Sequence, residues 1–437
     1  MSRLSESARS RFKTLAPGTQ TFVASLSVVT LCFGISKVFS SIATIVVARF
    51  FGPFSFGEAT IVLLTAQVLS MFMSVGQHFS VMKYGSGKSD PAPQVAFTAY
   101  VSLGGMILLA GFAWAIRSWL ESWLQINDYK LVWAVLIATM FTGYTVLTSA
   151  YQALGSFKSR GIIEVAFAAL LLPGLALGRL ATGGDYETVL IAYAVAYGTT
   201  IPVMLWRFHR MLHPRNLAKA NRREMLTFGM ISCLSNFGFI ATFLIQPLQL
   251  QYYHGENEVG IFRLYCAGSI NTAAFATTIF CTVFFPRVSV TTNRLGIWKK
   301  LNRAWMRAFV PVAGFFVVSY VLTVLLSGEE YPLLWYQIVL FSIASTLITV
   351  VSTIGQVISS QGIAGARLGM LFTTVSGGIN LSLSALLIPR WSIDGAIGAL
   401  TINYAATLCL ALWLGHRLLV REARALAMEP EATPSRA

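Results

Sequence analysis

Some twelve times along this chain, eighteen or more largely apolar residues run on before a short polar break ends them. A stretch of that length crosses the roughly 30 Å hydrocarbon core of a bilayer as a helix. In lipid the backbone polar groups must be satisfied within the segment, which leaves helices as the spanning element. The stretches fall near 22–48, 57–82, 95–116, 131–154, 161–181, 188–206, 226–249, 259–285, 304–327, 332–357, 367–388 and 395–415. Only 11% of the residues are charged, against about 25% in soluble domains, and mean hydropathy is +0.67. The sequence predicts an all-α integral membrane protein of about 12 transmembrane helices. The first stretch is too long for a signal peptide and lacks a small-residue cleavage site, so it reads as a retained helix.

A net charge of +15 would point to nucleic acid in a soluble chain, but its distribution here marks membrane topology. With a cytoplasmic N-terminus, the inner segments hold 25 of the 32 basic residues, including Arg207, Arg210, Arg215, Lys219, Arg222 and Arg223 after the sixth stretch. The other side holds Arg49, Arg117, Lys130, Arg179 and Arg390 and collects ten acids, among them Glu58, Asp128, Glu256, Glu258, Glu330 and Asp394. The positive-inside rule then places both termini in the cytoplasm after an even number of spans. The basic segments 207–223 and 287–307 orient the chain and also suit contact with anionic headgroups.

The loop after the sixth stretch divides the chain in two. The sequence predicts a cytoplasmic N-terminal segment at 1–21, a six-helix bundle at 22–206, a basic linker at 207–225, a second six-helix bundle at 226–416 and a cytoplasmic tail at 417–437. An ungapped comparison at an offset of 203 residues pairs Gly52 with Gly255, Phe56 with Val259 and Gly57 with Gly260. Each half thus leaves its first helix through the same Gly-x-x-x-x-Gly turn. Repeats of this kind are typical of secondary transporters, whose cargo site lies near the bilayer midplane. Pro173, Pro202, Pro247 and Pro311 fall within predicted helices, as hinges or as static kinks.

Lys37 stands at the middle of the first stretch, about 15 Å from either end by helix rise. A charge at that depth costs roughly 3 kcal/mol or more on insertion scales and by default marks function. Two readings compete: an ammonium that receives an anionic cargo, or a lysine paired with the intramembrane acid Glu164. Arg263, one turn into the eighth stretch, either relays the same anion or reaches the headgroup layer. Polar side chains at bilayer depth, namely Gln67, Gln77, His78, Asn236, Gln246 and Asn271, are candidate glycan contacts, with helix-to-helix hydrogen bonding as the alternative for each.

Signatures of chemistry are lacking. Gly85-Ser86-Gly87-Lys88-Ser89 has Met82 where a phosphate loop needs its first glycine. His209 and His213 have no third metal ligand. The five cysteines, Cys32, Cys233, Cys266, Cys281 and Cys409, show no paired spacing. No nucleophile elbow occurs. Catalytic residues, cofactor and metal are therefore all assigned as none.

Arg49 to Gly57, Tyr253-His254-Gly255-Glu256-Asn257-Glu258-Val259-Gly260-Ile261-Phe262, Phe285-Pro286-Arg287, Asn380, Leu387-Ile388-Pro389 and Ile393-Asp394-Gly395-Ala396 together resemble the O-antigen and exopolysaccharide flippases, the polysaccharide transporter branch of the multidrug/oligosaccharidyl-lipid/polysaccharide exporter superfamily. Phe262 and Gln77 depart from the tyrosine and leucine usual there. The resemblance implies a MOP/MATE-like fold, two six-helix bundles around a central cationic cavity. It also implies a cargo, an undecaprenyl-diphosphate-linked oligosaccharide moved from the cytoplasmic to the periplasmic leaflet of the bacterial inner membrane; Lys37 and Arg263, singled out by their depth, are the candidate contacts for its diphosphate. Membrane lipids, a polysaccharide polymerase and a chain-length regulator are the candidate partners. A cation-coupled multidrug exporter is the alternative, weakened because the first helix carries lysine where antiport needs a carboxylate. A membrane polymerase or ligase comes third, since those chemistries need an outer loop longer than any here.

Overall fold

The computed structural model describes residues 17–86, 88–124, 126–289, 294–359 and 362–428; in several helical stretches, among them 234–237, 281–289 and 362–366, it describes the backbone alone. Every regular element among the described residues is helical. In chain order these are α1 (Pro17–Met73), α2 (Gln77–Gly85), α3 (Ala92–Ala115), α4 (Arg117–Leu124), α5 (Asp128–Ala153), α6 (Phe157–Thr182), α7 (Tyr186–Phe208), a 3-10 turn (Pro214–Lys219), α8 (Arg222–Phe243), α9 (Ile245–His254), α10 (Glu256–Gly268), α11 (Ile270–Ser289), α12 (Arg294–Ser327), α13 (Trp335–Ser359) and α14 (Gly362–Met428).

All twelve apolar stretches are found as helix. α1 holds the first and most of the second on either side of an interruption at Gly52, and α14 holds the last two on either side of Ser392. Among the described residues eight helices are long and apolar enough to cross a membrane, with Thr30–Met73 and Arg367–Arg421 each counted across such an interruption. The seventh and eighth stretches cross in pieces instead. The seventh breaks at Leu244, between α8 and α9, because Pro247 lacks the N–H that would bond the carbonyl of Phe243. The eighth breaks at Ser269. Hydroxyls take over the carbonyls freed there: Ser319 Oγ donates to Gly268 (2.6 Å) and Thr272 Oγ1 to Ala267 (3.0 Å). Pro173, Pro202 and Pro311, by contrast, sit inside uninterrupted helices.

The described residues form two compact units that interleave along the sequence, one within 1–43, 69–115 and 133–232, the other within 44–68, 116–132 and 233–437. Lipid tails are as apolar as leucine, so helices associate through close packing and small residues rather than through the hydrophobic effect. The first unit follows that rule. On α6, Gly174 and Gly178 lie one turn apart against Ala192 and Thr188 of α7, where a β-carbon at either glycine would stand under 3 Å from the α7 backbone. Tyr144, Phe167 and Tyr197 stack beside that seam, with Phe167 and Tyr197 centroids 4.6 Å apart. In the second unit Tyr265, Tyr320 and Phe341 form a buried aromatic triangle at 5.1–5.6 Å. Trp298, Val350, Ile354, Phe372 and Leu419 fill a separate apolar cluster. The large apolar residues left exposed, such as Leu103, Ile107, Leu108 and Phe112 along α3, form the lipid-facing surface that a soluble protein would avoid.

Candidate functional site

The two glycine turns found in the sequence meet in the second unit. Gly52 (φ 72°, ψ 172°) and Gly255 (φ 90°, ψ 178°) share one backbone conformation, in a region essentially closed to residues with a β-carbon. Five residues on, the two segments cross. A β-carbon at Gly57 would stand 3.1 Å from the Gly260 nitrogen and run into the Glu256 carbonyl; one at Gly260 would stand 3.0 Å from the Gly57 nitrogen and run into the Pro53 carbonyl. Pro53 and Glu256 are themselves 203 residues apart, so the contact is reciprocal, as about a local two-fold axis. The spacing that linked the halves in sequence is a physical contact.

Polar groups lace the helix ends around this crossing. Lys130, at the start of α5, lies 2.9 Å from Glu58 and 3.9 Å from Glu256, with its side chain 11% exposed. Gln251 donates to the same Glu256 carboxylate at 3.5 Å. Ser392, held at φ 48°, donates to Glu258 (2.8 Å), and His254 Nε2 lies 2.8 Å from the Ile388 carbonyl. Both carboxylate oxygens of Asp394 accept, one from Tyr336 (3.0 Å) and one from Gln337 (2.7 Å). Tyr331 donates to the Ala48 carbonyl (3.2 Å), and Tyr265 to that of Pro332. Outside the membrane-spanning helices, burial and the nearby Glu330 carboxylate push the Tyr331 hydroxyl well above the usual phenol range. Three of the sequence segments that carry the family resemblance are thus joined at one place. Phe285-Pro286-Arg287 has side chains outside the described residues.

Lys37 belongs to the first unit, fifteen residues before Gly52, or about 22 Å along the helix. It is half-buried. The face of α1 it shares packs on α6: Cys32 closes against Gly161, Ser36 donates to the Glu164 carbonyl (3.1 Å), and the Arg160 guanidinium lies 5.5 Å from the Phe33 ring. Residues 33 and 37 occupy one stripe of a helix. Arg160 and Glu164 pair at 3.8 Å on successive turns of α6.

The remaining candidates divide by burial. Gln77 is fully buried, and its amide nitrogen reaches the carbonyls of Met225 (3.4 Å) and Val75 (3.5 Å) at the break between α1 and α2. Gln246, 1% exposed, donates to Asn380 (3.2 Å) and to the Ala396 carbonyl (3.0 Å), while Asn380 donates to Ala241 (2.9 Å) and Thr242 (3.2 Å). That network ties α8, α9 and α14. Gln67, His78, Asn271 and Arg263 are half-buried; the side chain of Asn236 lies outside the described residues. Lys37, Gln77 and His78 fall in the first unit, and Gln67, Gln246, Arg263 and Asn271 in the second. The Lys130 cluster escaped the sequence reading, where its members served only as topology markers. A signal was present: a glutamate follows directly on a turn glycine in both halves, as Gly57-Glu58 and Gly255-Glu256.

Among the described residues no group of three or more His, Cys, Asp or Glu side chains stands ready for a metal. No curated protein matches the chain. The family model described as polysaccharide biosynthesis protein matches residues 22–292, more than half of the 437. The chain belongs to that family. The chain is similar in fold to the lipid II flippase MurJ in an inward closed conformation, with a TM-score of 0.60 at 9% identity over 88% of this chain and 86% of that one. It is also similar to a multidrug resistance MATE family transporter of the MOP superfamily, inward-facing, with a TM-score of 0.65 at 15% identity over 90% and 96% of the two chains. The outward-facing conformation of a MATE family transporter gives 0.60 at 13% identity over 92% and 96%. At such identities the likeness is one of fold. Family and helix content together make the chain a multi-pass membrane protein of the polysaccharide biosynthesis family, with a fold like that of these transporters.

Proposed function

We propose that this protein flips a lipid-linked oligosaccharide, carried on undecaprenyl diphosphate, from the cytoplasmic to the periplasmic leaflet of the bacterial inner membrane, for O-antigen, capsule or exopolysaccharide synthesis. The observation that carries the reading is the family match across residues 22–292, which takes in the first eight spans, both glycine turns and Lys37. Lys37 receives the diphosphate at bilayer depth, and Arg263 takes it over further out. Gln67, His78 and Asn271, half-buried, contact the glycan; Gln77 and Gln246 hold helices together. Both termini are cytoplasmic, following the charge asymmetry. The Lys130 cluster, on the acid-rich side, closes the periplasmic end and separates when cargo leaves. A cargo carrying two negative charges gains about 4 to 5 kcal/mol in moving outward across roughly 100 mV, which gives direction without a coupling ion. Cation antiport fits less well, because Glu164 is engaged by Arg160 at 3.8 Å.

The decisive experiment reads lipid-linked oligosaccharide flipping in proteoliposomes for Lys37→Ala, Lys37→Arg and Glu164→Gln. Loss in the first, partial retention in the second and near-normal flipping in the third are expected. Normal flipping by Lys37→Ala removes the lysine from the mechanism, and equal loss in Glu164→Gln makes it a structural partner of α6.

A further inference from the structure

A cleft of about 530 Å³ lies within the first unit, and none of the candidate cargo residues lines it. Its walls are α3, α5 and α7, with Leu103, Met106, Met140, Val146, Ile201 and Leu205 among the lining residues. The few hydroxyls in those walls are already spent. Tyr100 donates to the Leu212 carbonyl (3.2 Å), Ser102 to that of Ser74 (3.4 Å) and Thr139 to that of Val135 (2.9 Å). The cleft therefore offers an occupant mostly apolar contact and no free hydroxyl proton, which favours hydrocarbon. Its origin is visible in the sequence. Gly143 and Gly198 remove side chains from facing walls, and Pro202 supplies no N–H to the carbonyl of residue 198. A β-carbon at Gly198 would meet nothing within 4 Å.

Two further observations identify the occupant. The lining positions 198–205 and 139–147 extend roughly 10 to 12 Å along their helices, which is most of the ~15 Å hydrocarbon depth of a single leaflet. That length suits one acyl chain. The cleft ends at Leu212, inside the linker that carries Arg207, Arg210, Arg215, Lys219, Arg222 and Arg223, all exposed, with no acid between 207 and 223. The linker is fastened there: its 3-10 turn packs on α3, and Asn216 donates to the carbonyls of Met211 (2.8 Å) and Arg210 (3.4 Å). An apolar slot under a cationic rim matches an amphiphile with a negatively charged head.

We propose that this cleft holds one acyl chain of an anionic phospholipid whose phosphate rests on Arg207, Arg210 and Arg215, a lipid site separate from the cargo path. The test is native mass spectrometry of the full-length protein in detergent, titrated with phosphatidylglycerol or with phosphatidylcholine of identical chains. The wild type should retain one phosphatidylglycerol at least about tenfold more tightly than phosphatidylcholine. Gly198→Leu, and independently Gly143→Leu from the facing wall, should abolish that retention, while Gly198→Ala keeps it; thermal melts identify any variant that fails to fold. Replacing Arg207, Arg210 and Arg215 together by Gln should erase the preference between headgroups and leave phosphatidylcholine binding unchanged. Equal binding of the two lipids by the wild type, or undiminished phosphatidylglycerol on both plugged variants, overturns the proposal. So does preferential displacement of phosphatidylglycerol by undecaprenyl phosphate, which would assign the cleft to a cargo tail.

Discussion

The turn at 52–57 and the turn at 255–260 have the same backbone, and the helices they join do not have the same charges. Gly52 and Gly255 hold matching dihedral angles, and Gly57 and Gly260 press on each other's segments. At the same offset of 203 residues, however, Lys37 corresponds to Ile240, Gln246 to Ala43 and Arg263 to Thr60. Close backbone approach about a local two-fold constrains both partners equally, because enlarging either one clashes with the other. Charge at bilayer depth carries no such reciprocity and is free to specialise in one half. The molecule thus keeps a symmetric pivot beside an asymmetric set of charged and polar side chains.

The largest effect comes from breaking the pivot. Gly57→Ala and Gly260→Ala each drive a β-carbon into a backbone carbonyl, a clash that no rotamer change relieves, and each should cost more than about 4 kcal/mol. Folded yield by fluorescence-detected gel filtration should collapse for both, and to a similar degree. Gly314→Ala, where a β-carbon meets nothing within 4 Å, serves as the tolerant control. A large loss for one turn glycine beside a mild one for the other would remove the symmetry.

How much of this was legible beforehand differs between the same two regions. Helix number and the Gly-x-x-x-x-Gly match could be read from hydropathy and spacing, since both follow from local rules. The crossing could not, because nothing in a spacing of 203 says that the two copies touch. The breaks at Leu244 and Ser269 were missed for another reason: hydropathy is blind to a helix that crosses in two pieces, and only Pro247 hinted at the first. Gln77 and Gln246 illustrate the limit for candidate site residues. A polar side chain at bilayer depth looks the same in sequence whether it faces cargo or, as Gln246 does, another helix's amide.

The next effect concerns the cluster laid over the pivot. Lys130 serves Glu58 and Glu256, one carboxylate from each half. Lys130→Ala leaves two poorly solvated carboxylates without their cation and should cost roughly 3 kcal/mol, read as a drop in melting temperature. The triple variant Lys130→Met, Glu58→Gln, Glu256→Gln removes all three charges and should recover most of that stability. If the cluster also latches the outer end, the triple variant should show faster reaction of a cysteine placed at Glu330, whose carboxylate stands over Gly52, with a membrane-impermeant maleimide. Unchanged labelling would reduce the cluster to a structural tie.

The smallest effect tests whether the asymmetry extends from charge to hydrogen bonding. Gln246→Ala gives the second half the residue that the first half has at Ala43, and strips from Asn380 and the Ala396 carbonyl a donor at 3.2 and 3.0 Å. Interhelical hydrogen bonds in membranes average only about 0.6 kcal/mol and reach about 1.7, so the melting temperature should fall measurably but by less than in Lys130→Ala. Asn380→Ala should fall further than Gln246→Ala, because Asn380 also donates to Ala241 and Thr242 beside the α8–α9 break, where no helical N–H takes over those carbonyls. The double variant should lose less than the sum of the two, since the shared bond is removed only once. Strict additivity would mean that the two amides act independently and that the break in the seventh span is held by Pro247 alone.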